Sequence, residues 1–139
     1  MLSNPRFEDS YARLFGPNVS IDESSDAFFV EFYRRFLQSP DIAARFANTD
    51  MNRQIAMLKR SLFQLTSYYV TNSPSAELKR LAEFHRNLDI GEQMFDTWLE
   101  SLIGTVEVMD EAADEATLLA WAWALTPGII YMRITLAGE

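Results

Sequence analysis

The placement of chain breakers constrains this sequence most. Its five glycines and five prolines each fall where a helix should start, stop or bend. Between them the apolar residues recur at three- and four-residue intervals. No period-2 alternation lasts long enough to build a sheet, and no internal repeat or low-complexity tract is present. The expectation is an all-α fold of six or seven helices joined by a few residues each. The first helix spans about 4–15 and stops at Gly16-Pro17. Ser24, Ser25 and Asp26 open a second, to about Gln38, with Phe29, Phe32, Tyr33, Phe36 and Leu37 on one face. Ser39 followed by Pro40 starts a short helical turn to about Phe46. Thr49-Asp50 caps a long helix over roughly 50–71, and after Asn72-Ser73-Pro74 another runs over about 74–88. Asp89 and Glu92 have capping-box spacing and open a helix through Phe95, Trp98, Leu99 and Leu102 to about Met109. The last helix runs from about Asp114 to Leu136 and is expected to bend at Pro127-Gly128.

At 139 residues the chain is expected to form a single domain over 1–139. Twenty acidic against twelve basic side chains give a net charge of −8, which argues against nucleic acid and against an anionic membrane surface as partners. With no cysteine, disulfides, thiolate metal sites and Cys nucleophiles are excluded. The start of the chain lacks the charged end and apolar run of a signal peptide. The richest apolar stretch, Leu118 to Leu125, is too short to cross a membrane and reads as buried helix. A cytoplasmic protein is the expectation. The Asp/Glu clusters at 22–26 and 110–115 read as caps and solvated turns, and Met51, Met57, Met94 and Met132 as core filler.

The single histidine is the most informative residue for function. Leu78, Leu81, His85 and Leu88 step by three, four and three along one helical stripe, so His85 points where its helix points its leucines. One reading is a core histidine hydrogen-bonded to a backbone carbonyl. The other is a metal ligand. Zinc sites of the usual nitrogen and sulfur kinds cannot be built from one His and no Cys, whereas haem iron needs only one axial histidine. A haem would also need an aromatic clamp, for which the ten Phe and three Trp supply material.

The segments FYRRFLQSPDIAARFANTDMNRQIAML, LAEFHRNLDI and TWLESLI resemble bacterial single-domain globins, with pocket spacing closest to the truncated-haemoglobin branch. Tyr33 matches the tyrosine whose hydroxyl points at bound ligand, and Phe46, thirteen residues on, the phenylalanine that stacks on haem. Gln54 and Leu58 match two successive distal positions, His85 the proximal iron ligand, and Trp98 a tryptophan of some truncated-globin subgroups. The paired glycines at two turns of many truncated globins are absent, with Gly16 alone at one and Asn72 to Ser75 at the other.

The resemblance implies a globin-like helical sandwich enclosing haem b, with iron on His85, cofactor contacts from Phe46, Leu58 and Leu81, and ligand-stabilising donors from Tyr33, Gln54 and Trp98. It implies reversible binding of oxygen, NO and CO, with slow oxygen release. Nitric oxide dioxygenase or peroxidase-like chemistry would then need a separate reductase. A gas sensor and a cofactor-free helical interaction module are the alternatives, in a monomer or a homodimer. Arg53 and Arg80 are candidates for the haem propionates by proximity.

Overall fold

A computed structural model describes residues 4–16, 26–86 and 91–137. Seven helices lie among these residues: α1 (Pro5–Phe15), α2 (Ala27–Phe36), α3 (Pro40–Arg45), α4 (Met51–Thr71), α5 (Ala76–Arg86), α6 (Glu92–Met109) and α7 (Glu115–Ala137). No strand occurs among the described residues, and none of the helices is long and apolar enough to cross a membrane.

Local chemistry sets most of the ends. The Asn4 side chain accepts from the Phe7 N–H ahead of Pro5, and the Asp50 carboxylate accepts from the Asn52 and Arg53 N–H groups. Asn72 closes α4 in the left-handed region at φ 56°. Ser75 caps α5 by accepting from the Leu78 N–H at 3.0 Å, so that helix starts two residues later than Pro74 implies. Ser39 makes no side-chain cap bond, and Pro40 supplies the start of α3 through its fixed φ. Asp26 does not cap α2 either; its carboxylate lies 2.6 Å from the Lys59 ammonium, tying α2 to α4. Gly91 precedes α6 at its N-cap, while Asp89 of the expected capping box lies outside the described residues, as do Pro17, Ser24, Ser25 and Leu88.

Helix α7 packs against α1, α4, α5 and α6, while α2 packs against α6 and α4. The core between them is aromatic: Phe28, Phe29, Phe32, Tyr33 and Phe36 bury one side of α2 and meet Phe15 from α1. One expectation about breakers fails. Gly104 lies inside α6, where a Cβ would come within 2.9 Å of the Arg35 guanidinium; this glycine admits a neighbour and ends nothing. α7 runs as continuous helix through Pro127-Gly128, and a Cβ on Gly128 would come within 2.5 Å of Leu65 Cδ2, so Gly128 permits the close approach of α4.

The 110–115 cluster is not uniformly solvated. Asp110 is buried, accepting two bonds from the Arg13 guanidinium at 2.8 Å each and one from the Ser10 hydroxyl at 2.6 Å. The buried Trp121 indole donates in turn to Ser10 Oγ at 2.8 Å. These bonds hold Asp110 below the usual carboxylate range, Arg13 first among the causes, against the opposing effect of burial. α1 is thereby locked across the α6–α7 turn. Nor is Leu118 to Leu125 wholly buried: Leu119 and Trp123 face outward.

Candidate functional site

The apolar stripe of α5 sends Leu78 into the core and turns Leu81 and His85 to a cavity of about 440 Å³. All seven residues singled out from the sequence line this cavity: Tyr33 from α2, Phe46 after α3, Gln54 and Leu58 from α4, Leu81 and His85 from α5, and Trp98 from α6. Chain segments distant in sequence are thus brought around one space, and the stripe that carries the histidine is its wall.

His85 Nδ1 lies 2.8 Å from the Leu81 carbonyl oxygen one turn earlier. Nδ1–H is therefore the donor, and Nε2 keeps its lone pair as the ligating nitrogen would. Burial pushes the His85 pKa below the ordinary 6.5, outweighing the opposing effect of the Leu81 carbonyl. The imidazole is neutral at neutral pH, the form that binds a metal. Both readings of this histidine are thus compatible with one geometry, since the bond to a backbone carbonyl is also what orients a ligand.

Tyr33 is buried, and its phenol is pushed up to about 12 by desolvation, opposed by a hydrogen bond shared with Gln54. It stays an O–H donor throughout the neutral and mildly alkaline range. Gln54 turns to the cavity. Phe46 stands edge-on to Tyr33 and Phe36, with ring centroids 6.0 and 6.1 Å apart. Trp98 packs edge-on against Phe32 at 5.8 Å and is half-buried. The buried indole N–H with a protein partner belongs to Trp121, far from this cavity in the Ser10–Asp110 network.

The sequence reading missed several lining residues. Met94 lies one turn before Trp98 on α6, with Phe95 beside it, and Ile129 and Met132 share a face of α7. Of the methionines read as filler, Met57, Met94 and Met132 line the cavity and Met51 packs on the core. Arg45 and Thr49 add polar groups, and because Arg45 is exposed, that part of the wall reaches solvent. Phe84, next to His85, also lines the cavity and is half exposed at 50%. A second, more open groove shares Met57, Ser61, Leu81 and Phe84 with the cavity and carries Arg60, Arg80 and Glu77. Arg53 lines neither space.

No family model matches the chain, and no curated protein does. It is similar to a protein of known crystal structure from Pseudomonas aeruginosa PAO1, described as structurally highly homologous to a human hemoglobin. The two are 32% identical over 95% of this chain and 96% of that one, with a TM-score of 0.79. The chain belongs to the bacterial single-domain globins.

The residues of this globin fit a haem on grounds independent of that likeness. The cavity volume is in the range of cofactor sites. Its lining is dominated by apolar and aromatic side chains, into which a neutral imidazole is set. Exposed Phe84 offers apolar surface that a flat ligand would cover. Among the described residues no cluster of three or more His, Asp or Glu is placed to hold a bare metal ion.

Proposed function

We propose that this globin binds haem b on His85 and holds oxygen and other diatomic ligands, NO and CO, beside Tyr33, Gln54 and Trp98. The observation that carries the proposal is the His85 imidazole, tied through Nδ1 to the Leu81 carbonyl, in the same apolar cavity as Tyr33 and Gln54. The globin fold of the chain supports it.

Each residue has a defined task. His85 supplies Nε2, in a ring orientation fixed by Leu81. Phe46, Leu58 and Leu81 would give the cofactor apolar contact and help keep water from it. Arg60 and Arg80 in the adjoining groove, with Arg45 at the cavity wall, are the cations that would hold the haem carboxylates. When bound, haem would supply the iron that takes the diatomic ligand and the redox chemistry by which nitric oxide is oxidised to nitrate at the expense of oxygen. Tyr33 keeps its proton and donates it in a hydrogen bond to a polar diatomic ligand. Gln54, in the cavity wall with Tyr33, positions that hydroxyl or donates as well. Several donors around one small ligand favour slow release, which suits turnover of nitric oxide with a separate reductase better than oxygen delivery.

The test is an absorption spectrum of the purified protein with added haemin, then reduced, then exposed to carbon monoxide, for the wild type and His85→Gly. A sharp haem band that shifts with carbon monoxide, and is lost or altered in His85→Gly, is the expected result. A colourless protein that ignores haemin overturns the proposal and returns His85 to a structural role.

A further inference from the structure

The outer face of α7 carries the largest set of exposed apolar side chains on any one helix of the described chain. Leu119 is 65% exposed, Trp123 66%, Ile130 48% and Ile134 64%. Their spacings of four, seven and four residues place them within one narrow stripe of the helix. The other large exposed apolar residues, such as Val30, Phe63 and Val108, are spread over different helices. Scattered residues of that kind need no explanation, while a stripe of four with a tryptophan does.

The stripe is also symmetric. Leu119 and Ile134 stand equally far on either side of the Thr126–Pro127 peptide, and so do Trp123 and Ile130. A two-fold axis through that peptide lays two copies of α7 antiparallel, with Leu119 on Ile134 and Trp123 on Ile130 in both directions. That self-complementarity is what an isologous interface requires. Glu115 and Arg133 are the only charged side chains of α7, and neither belongs to the stripe, so the pairing buries no charge on its axis. By contrast, the exposed Asp96, Glu100 and Glu107 make the outside of α6 acidic and unsuited to meeting itself.

Area decides the scale. With large side chains exposing on the order of 150–250 Å² when free, the four residues leave roughly 450 Å² of apolar surface on one protomer. A symmetric pair covers about 900 Å² before any flanking residue is counted, close to the roughly 1,000 Å² that a stable interface must clear. The half-buried Ala122, Thr126 and Pro127 beside the stripe add to it.

We propose that this globin forms a two-fold homodimer through α7, with Thr126 and Pro127 at the axis and Trp123 of each copy packed on Ile130 of the other. The chain has no cysteine, so single introduced cysteines report the register without background. Mass would be measured by light scattering and sedimentation over a range of concentrations, with and without bound haem. The wild type is expected to run as a dimer, and Trp123→Glu and Ile130→Lys as monomers with unchanged helical circular dichroism. Thr126→Cys is expected to join to itself on oxidation. Leu119→Cys alone should not, because its two copies would lie about 22 Å apart along the pair at 1.5 Å per residue. Mixed with Ile134→Cys it should cross-link. A wild type that is monomeric at every concentration overturns the proposal. So does a dimer that survives both charge substitutions, or one that Leu119→Cys joins while Thr126→Cys does not.

Discussion

Gly128→Ala tests whether the crossing of α4 and α7 is as tight as the geometry makes it, because two effects of known size oppose each other there. Replacing a helix-interior glycine with alanine favours the helix by roughly 0.5–1 kcal/mol. Against this, the new methyl would lie 2.5 Å from Leu65 Cδ2 and 3.3 Å from both Cα and Cβ of Leu65. Carbon atoms rest about 3.5–4.0 Å apart. Rotating the Leu65 side chain relieves the first contact but not the second and third, which involve the start of the side chain and the backbone. Leu65 is buried from solvent but borders the cavity, so its side chain can move there while its Cα and Cβ stay in place. The helices must separate by a few tenths of an ångström, and overpacking of this kind costs about 1–3 kcal/mol. Gly104→Ala is the internal control. It carries the same propensity gain, but the new methyl meets the Arg35 guanidinium, the far end of a flexible side chain. Gly128→Ala is therefore expected to be less stable than Gly104→Ala by roughly 2 kcal/mol, a melting difference on the order of 5–10 °C for a chain of this size. Thermal and urea unfolding, followed by circular dichroism on all variants in the same cofactor state, measure it. Gly128→Ala as stable as Gly104→Ala would refute the close crossing, and with it the placement of Leu65 and Ile129 at the back of the cavity.

The other expectations concern the site and the α1 lock. Tyr33→Phe should raise the oxygen dissociation rate of the haem-loaded protein about ten- to a hundredfold, the equivalent of one charge-assisted hydrogen bond of roughly 1.5–3 kcal/mol; stopped-flow displacement by carbon monoxide reads it. With the phenol pushed up to about 12, the wild-type rate should not rise through Tyr33 ionisation between neutral and mildly alkaline pH. Haem affinity should be flat above the ordinary histidine value of 6.5 and fall only at lower pH, because burial holds the His85 imidazole neutral; haemin titrations across pH test this. The same depressed pKa means that the unfolded cofactor-free chain takes up a proton more readily than the folded one, so its His85 contribution destabilises the fold as pH falls below 6.5. Asp110→Asn should lower stability at neutral pH by about 2–4 kcal/mol, less than for a wholly buried pair because Arg13 is partly exposed. Asp110 is held below its ordinary 3.8, so its contribution is present above that pH and lost as pH falls through the lowered value. Urea unfolding at neutral and acid pH should therefore show a gap between wild type and Asp110→Asn that narrows in acid.

The helices were legible because helical period, caps and breakers are local. Asp50 and its two N–H partners lie within four residues, and the Leu78–Leu81–His85 stripe within one element. What required the folded chain was every fact that depends on long-range packing. Asp110 looks like any acidic turn residue until Arg13, 97 positions away, is beside it. Gly104 reads as a breaker because composition cannot tell a glycine that ends a helix from one that admits a neighbour. The same applies to the tryptophans: any could have paired its indole N–H, and the one that did sits where α1 brings Ser10. The seven cavity residues named from the sequence were found through order and spacing around a single histidine, which the family resemblance organised. Arg45, Met94, Ile129 and Met132 escaped because no local pattern marks a side chain as facing a cavity rather than a core.

Helix α7 shows how far that ambiguity reaches. Its sequence is apolar on nearly every side, the signature of a helix enclosed all round. Yet its four packing partners, α1, α4, α5 and α6, cover only part of it. Trp121, Ala124 and Leu125 go to the interior, Ile129 and Met132 to the cavity, and Leu119, Trp123, Ile130 and Ile134 are left outside. The proposed two-fold copy of α7 would cover that bare face in a register that the helix's own spacing specifies. The same rigid helix would then carry the dimer contact on one side and the cavity wall on the other. A change in how Ile129 and Met132 pack on a bound cofactor would reach the interface through a single element.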